Sequence, residues 1–418
     1  MGFIEDYLEY TKYQESPEIF HKWVAIGLLS SCLERSVWID LGYWKSYPNL
    51  YILLIAGTAI CRKSTSIDIG IDLLQELMHP PNIIESKITP AALIKRIAIH
   101  TITEEHTVDR TCTATIVASE LANFLSKEKP YEGLIPLLTQ LYDNRQVFEA
   151  STISRGMDRL KEPTITFIAA STLIWLRESM TTYGLEGGFT NRCNIIYREN
   201  TDRCVPRPKY SEDLKTLKIK LIDKMNVIRT NISGHMRETD EAKAWWDTWY
   251  RGFHASMQNI GSDNDIYHAR KDSTLMKLAM IMSVSETDSM IVGVKHYESA
   301  LKCIAETDAG IIKKTGILTK PTQFSSMTDK ILVFIKNTKK ENRYRTFIEK
   351  GLRSQIINIS SFDSALLHLI KTKDIVLVRA PHIKNGTVET RYHLPDEGKP
   401  NIKEYFPEYD FTKPDIHV

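Results

Sequence analysis

The stretch LYILLIAGTAICRKSTS, Leu50 to Ser66, decides how the rest of this chain is read. Ile52 to Ile55 form an unbroken aliphatic run, the composition of a strand buried on both faces. Gly57 then turns the chain, and Lys63-Ser64 follow after a short loop. A phosphate-binding loop reads G-x-x-x-x-G-K-[ST]: backbone N–H groups surround the phosphates, the lysine reaches the β- and γ-phosphates, and the hydroxyl ligates Mg²⁺. Here Arg62 occupies the second glycine position, so the stretch is a working nucleotide site, a decayed one, or a buried strand running into an ordinary helix. Ile67, Ile71, Leu74 and Met78 share one face behind the loop. They predict a helix whose positive end points at the candidate phosphate position. Arg62 is tolerated there with helical dihedrals and an outward side chain, and strained if the position needs positive φ.

Composition narrows the class. The chain has 418 residues and a mass of 48.0 kDa, with 42% hydrophobic and 25% charged residues, which is ordinary globular usage with room for two or three domains. The opening MGFIEDYLEYTKYQ lacks the basic and apolar regions of a secretory signal. No apolar run reaches the roughly 18 residues of a spanning helix. Six cysteines, Cys32, Cys61, Cys112, Cys193, Cys204 and Cys303, are scattered without a C-x-x-C pair, so neither a disulfide frame nor a zinc site is expected. These features predict a soluble cytoplasmic protein with no membrane partner. The net charge of +2 conceals an asymmetry: residues 311–394 carry 16 Lys+Arg against 6 Asp+Glu, whereas 395–418 carry 3 against 6. A basic module of this kind suits a polyanion, and equally suits a solvated lysine-rich surface.

Five apolar runs, 51–57, 82–87, 113–119, 164–171 and 192–198, alternate with helical stretches. That grammar predicts an α/β fold with a parallel sheet and crossover helices. Ser16-Pro17-Glu18 suggests an N-cap with proline at the first helical position. The apolar face of Phe20, Trp23, Val24, Ile26 and Leu28 follows, and SVWIDLGY reads as a short strand pair. Residues 211–312 read as helical. Beyond them come helices and then two extended runs joined at Asn385-Gly386, a two-residue hairpin signal. Helices followed by a hairpin predict a winged helix. The expected divisions are a helical N-terminal segment at 1–48, a P-loop core at 49–205, a helical lid at 206–318, a winged helix at 319–395, and a loose or docked tail at 396–418.

The other runs end in residues suited to a nucleotide. Ser119-Glu120 closes the third run. Glu120 is placed as general base toward an attacking water, while Ser119 stands where a metal-assisting carboxylate is usual. Ser171-Thr172 closes the fourth, where a hydroxyl can hydrogen-bond the γ-phosphate or the water. Gly187-Gly188 precede Arg192, which sits just before the fifth run, suited either to stabilising phosphoryl charge from a neighbouring subunit or to a salt bridge at the sheet edge. The segment RQVFEASTISRGMDRLKEP predicts a hairpin with Arg155-Gly156 at its tip. In the basic module, His368, Lys371 and Lys373 fall on or beside one helix, and Lys384 and Arg391 belong to the hairpin, all candidates for DNA phosphate.

The order strand, loop, Lys-Ser, acidic tip, polar tip and G-G-F-x-x-R-strand resembles the AAA+ ATPases. More closely it resembles the P-loop helicase-type proteins of phages and mobile elements, over about residues 16–312. Their openings are similar to SPEIFHKWVAIGLLSSCLERSVW and YPNLYILLIAG. The resemblance implies a ring, a hexamer, with ATP and Mg²⁺ sandwiched between subunits. Gly57, Arg62, Lys63, Ser64 and Thr65 would line the nucleotide, Glu120 and Ser171 would act from the same subunit, and Arg192 from the next. It implies that Arg270 is a second γ-phosphate sensor. It further implies that Arg155, Arg159 and Lys161 line a pore over single-stranded DNA, in the company of a primase or polymerase. The function expected is an ATP-dependent DNA helicase or translocase in replication. The alternatives are an ATP-switched DNA-binding initiator or helicase loader, and a nucleotide-free structural module.

Overall fold

The fold is described from a computed structural model. It describes residues 2–57, 61–85, 87–99, 112–125, 133–152, 156–173, 175–176, 188–201, 203–258, 270–287, 289–312, 323–353, 359–384 and 387–407. Contacts divide the chain into two compact units, 1–319 and 320–418.

The first unit is built on a five-stranded sheet. After the short antiparallel pair β1 (Val37–Asp40) and β2 (Lys45–Ser46) come β3 (Tyr51–Ile55), β4 (Ile83–Ile84), β5 (Thr113–Ala118), the hairpin β6 (Val147–Thr152) and β7 (Gly156–Lys161), β8 (Thr164–Ser171) and β9 (Cys193–Tyr197). The sheet runs β4-β5-β8-β3-β9 with every pairing parallel. All five apolar runs therefore meet in one sheet.

Alternation along the strands explains why those runs are apolar throughout. Ile52, Leu54, Ile168, Ala170 and Ile196 face one core, while Tyr51, Leu53, Ile55, Phe167, Ala169 and Ile195 face the other. Both faces are covered, as a parallel sheet with helical crossovers requires. The first face packs against α1 (Phe3–Tyr10), α2 (Glu18–Leu33), α3 (Lys63–Gln75) and the helices Glu212–Asn231, Lys271–Glu286 and Val294–Ile312. The second packs against α4 (Pro90–Ile99), α5 (Leu121–Phe124) and α6 (Leu134–Tyr142).

Helix α2 is buried on nearly every side, so the expected N-terminal segment shares its core with the sheet and the expected lid. Two glycines allow the close approach this demands. A Cβ on Gly27 would lie 2.7 Å from Ile168 Cδ1, and one on Gly70 would lie 2.5 Å from Val24 Cγ1. The helix begins at Glu18 with Pro17 before it, not with Ser16 as its cap; the Ser16 hydroxyl is used elsewhere, as described below.

The second unit places the helices Gln323–Lys336, Arg345–Gly351 and Ile359–Lys371 around one core and follows them with an antiparallel hairpin, Val376–Lys384 with Thr387–His393. Lys384 pairs with Thr387, so a two-residue connection joins the strands. The start of the tail is docked: Tyr405 and Phe406 are buried against Val378, and Arg343 binds Glu397 through two bonds of 2.7 and 2.9 Å.

Candidate nucleotide-binding site

Parallel strands all end on the same side, which is where an α/β sheet holds its ligand. Ile55 pairs with Ser171, and Ala118 pairs with Ala169. The chain leaving β3, the tip Ser119-Glu120 and the tip Ser171-Thr172 are therefore neighbours along one edge. Of the loop, Gly57 and Cys61 onward are described, while residues 58–60 lie outside the described residues.

Arg62 takes φ 42 and ψ 48, the left-handed conformation, and Lys63 opens α3. The second glycine position of the loop thus keeps the backbone a glycine would adopt, at a cost of about 1–2 kcal/mol for a residue with a Cβ. Of the two alternatives open from the sequence, the geometry is the positive-φ one, in which an arginine is strained. Two contacts hold the strained residue: the Ser16 hydroxyl donates to the Arg62 carbonyl at 3.0 Å, and the guanidinium pairs with Glu15.

The Lys63 ammonium folds back and donates to the carbonyls of Gly57 at 2.9 Å and Ala56 at 3.3 Å. Partial burial lowers its pKa, and those oxygens occupy the donors that phosphate oxygens would accept. Ser64 donates to the Ser119 carbonyl at 3.1 Å, tying the first turn of α3 to the tip of β5. Thr65 is exposed beside it. An ammonium, a hydroxyl, a helix N-terminus and a carboxylate at one edge are a donor set that fits a magnesium-bound triphosphate.

Glu120 is exposed ahead of α5 and accepts a 2.7 Å bond from Asn123 Nδ2. Ser171 is buried, with its hydroxyl 3.4 Å from the Thr172 carbonyl. Sequence reasoning passed over Asp68. The Ser119 hydroxyl donates to Asp68 Oδ1 at 3.1 Å, bringing a second carboxylate to the strand tip, beside the position that Ser119 occupies. Its only signal in the sequence is its place four residues after Ser64, on the same helical face.

Arg192 lies at the other end of the sheet. Cys193 pairs with Tyr51, so Arg192 precedes the start of β9, about 13 Å or more along the strands from the end of β3 at roughly 3.3 Å per residue. Phe189 anchors the preceding turn, its ring 6.0 Å from that of Tyr51 and 6.2 Å from that of Phe167. Arg192 grips Asp143 with contacts of 2.7 and 3.1 Å and donates to the Gly188 carbonyl at 2.9 Å. Arg270 joins the same carboxylate at 3.1 Å. The structure therefore groups Arg270 with Arg192 and not with Lys63. Burial works to raise the Asp143 pKa, and the two guanidinium groups overcome it and leave the carboxyl below its ordinary range. Beneath them Lys277 is buried over the Tyr142 ring at 3.9 Å.

The expected DNA contacts divide. The β6–β7 hairpin forms, with Thr152 paired to Gly156, and Arg155 lies outside the described residues. Arg159 is exposed and faces Glu149 across the hairpin at 3.5 Å. The Lys161 carbonyl accepts from Cys112 N at 3.0 Å and fixes the hairpin to the start of β5. Lys371 is exposed at the end of its helix, and Lys373 is exposed beyond it with φ 64. Lys384 ends a hairpin strand, and its side chain lies outside the described residues. Arg391 is corrected: it is buried, bonds the Glu341 carbonyl at 2.8 Å, and stacks between Tyr344 and Phe406 at 4.8 Å from each ring. It braces the second unit instead of facing a phosphate.

Among the described residues no group of three or more His, Cys, Asp or Glu side chains is arranged to hold a metal by itself, and no helix is long and apolar enough to cross a membrane. Comparison of the chain with known proteins finds no matching family model and no curated protein with a matching sequence.

Proposed function

We propose that this chain is an ATP-driven helicase or translocase on DNA, of the AAA+ P-loop type with a C-terminal winged helix, working as a ring with ATP between subunits. The observation that carries the reading is the division of the candidate residues between the two ends of one sheet. Lys63, Ser64, Glu120 and Ser171 stand at the carboxyl ends of the strands, and Arg192 and Arg270 at the amino end. A site that needs both sets takes them from two copies of the chain. The strand order supports the same reading, because β8 lies between the loop strand and the strand bearing Glu120. The hydroxyl tip of β8 is thereby set between the phosphate loop and the base.

Magnesium-bound ATP supplies the phosphoryl group and part of its counter-charge. Lys63 would exchange the Gly57 and Ala56 carbonyls for phosphate oxygens, and Ser64 would turn its hydroxyl from Ser119 toward the metal. Glu120 would leave Asn123 to accept a proton from water, with Ser171 orienting that water. Arg192 and Arg270 of the adjoining copy would stabilise charge on the phosphoryl group. Arg155, Arg159 and Lys161 on the hairpin, with Lys371, Lys373 and Lys384 in the second unit, supply cations for a DNA backbone. Partners of that chemistry are single- or double-stranded DNA and further copies of this chain, a hexamer being the ring expected, alongside a primase or polymerase.

The test is displacement of a labelled strand from a forked DNA duplex by the purified chain with ATP, lost in Lys63→Ala. A second reading, a DNA-binding initiator or helicase loader switched by ATP, is favoured by Ser119, because a neutral residue at that tip slows hydrolysis. It predicts nucleotide-dependent DNA binding with no strand displacement.

A further inference from the structure

We infer that Asp68 supplies, from the helix of the loop itself, the metal-side carboxylate that Ser119 replaces at the tip of β5, and that it acts on the hydrated magnesium of a bound nucleotide through Ser119. This rests on the nucleotide reading above and assigns it a positioning residue.

Magnesium gives up its water reluctantly and is held by one or two carboxylates together with substrate phosphates. In phosphate-loop sites those protein groups are the hydroxyl after the lysine and an acid on the neighbouring strand. This chain has the hydroxyl, Ser64, but Ser119 replaces the acid. Ser64 and Asp68 are four residues apart on α3 and so share a face. That face is turned to β5 and joined to it twice: Ser64 Oγ donates to the Ser119 carbonyl, and Ser119 Oγ donates to Asp68 Oδ1, each at 3.1 Å.

The chemistry follows from the direction of the second bond. A serine hydroxyl that gives its proton to a carboxylate turns its own oxygen into a better acceptor for a metal-bound water. Asp68 Oδ2 has no hydrogen-bond partner among the described residues and is a second acceptor at the same place. Glu120, the other acid at this tip, has the separate role of base toward the attacking water in the reading above. Partial burial and the charge of Asp72 raise the Asp68 pKa against the pull of Ser119. The second glycine position is filled by a strained arginine and the acid position by a serine, and Asp68 compensates for the second departure from within the same helix.

The experiment uses the full chain and an ATP analogue with a fluorescent ribose substituent. Its binding is followed by anisotropy while Mg²⁺ is titrated, a readout independent of turnover. Asp68→Asn should raise the Mg²⁺ concentration at half-saturation about tenfold, the low end of what outer-sphere partners of metals contribute. Its binding of the analogue in excess chelator should match the wild type. The double variant Asp68→Asn/Ser119→Asp, which returns the acid to the strand, should recover most of that loss. If Asp68→Asn were to unfold, Ser119→Ala, which cuts the relay, should show the same rise. A wild-type Mg²⁺ titration in Asp68→Asn, with the analogue bound normally, would overturn the role of Asp68 and leave the nucleotide site standing. No binding of the analogue by the wild type would overturn both.

Discussion

Lys277 allows a quantitative test of how tightly the floor beneath the arginine pair is closed. The side chain is buried, donates to Asn49 Oδ1 at 2.8 Å and to the Asn49 carbonyl at 3.1 Å, and lies 3.9 Å from the centre of the Tyr142 ring. Burial pulls its pKa from 10.5 down to about 7, with Asp143 opposing that shift and Arg270 and Arg192 adding to it. The unfolded chain therefore binds a proton between about pH 7 and 10.5 that the folded chain does not. Stability contributed at this position rises with pH through that window, and the full penalty remains below it. At pH 7 the penalty is about 4 kcal/mol, from roughly 1.4 kcal/mol per tenfold change in proton affinity. Lys277→Met removes it and gives up hydrogen bonds to Asn49 worth about 1–3 kcal/mol. The variant should be more stable than the wild type by about 1–3 kcal/mol at pH 7, with the advantage shrinking at higher pH and reversing between about pH 8 and pH 10. Urea midpoints at pH 7, 8, 9 and 10, with the slope checked for constancy, measure the difference. A difference that stays constant over this range would mean that Lys277 keeps its proton in the folded chain, and would refute the burial argument.

His21 makes the acid counterpart. Its ring is buried with neither nitrogen hydrogen-bonded among the described residues, and burial, with Arg203, lowers its pKa to about 3. The unfolded chain takes up a proton below about pH 6.5 that the folded chain refuses, so stability falls as pH drops from there toward 3; His21→Phe should flatten that limb of the urea-midpoint profile. At the loop, Arg62→Gly relieves the left-handed strain and Arg62→Ala does not, while both lose the Glu15 pair. The glycine variant should be the more stable by about 1 kcal/mol, and equal thermal midpoints would contradict the positive φ. Lys63→Ala and Arg192→Ala should each abolish ATP turnover alone, yet regain part of it when mixed, because one subunit then offers an intact loop and the other an intact arginine. Mixtures that stay inactive would place both residues in one subunit's site.

What the sequence made legible, and what it did not, follows from the range of the interactions. The strands were readable because burial on both faces leaves an unbroken apolar run. Lys384 pairs with Thr387 as Asn385-Gly386 predicts, since that dipeptide specifies its turn locally. The strand-tip residues followed once the strands were placed. Asp68 and Asp143 were not readable: each is a lone acid whose meaning depends on a residue 51 or 127 positions away, Ser119 or Arg270. Arg391 looked like one more cation of a basic hairpin, and only packing shows Tyr344 and Phe406 closing over it. The S-P-E triplet favours Ser16 as a cap, but its hydroxyl is drawn to the Arg62 carbonyl by a tertiary contact that no local rule contains.

The central claim is that GTAICRKS is a working phosphate loop in a DNA-coupled motor. Steady-state ATP turnover by the wild type and Lys63→Ala, each with and without single-stranded DNA, tests it most directly. Turnover that DNA stimulates in the wild type and that disappears in the variant is the result predicted. Turnover that is absent from the wild type, or unchanged in Lys63→Ala, would contradict the account.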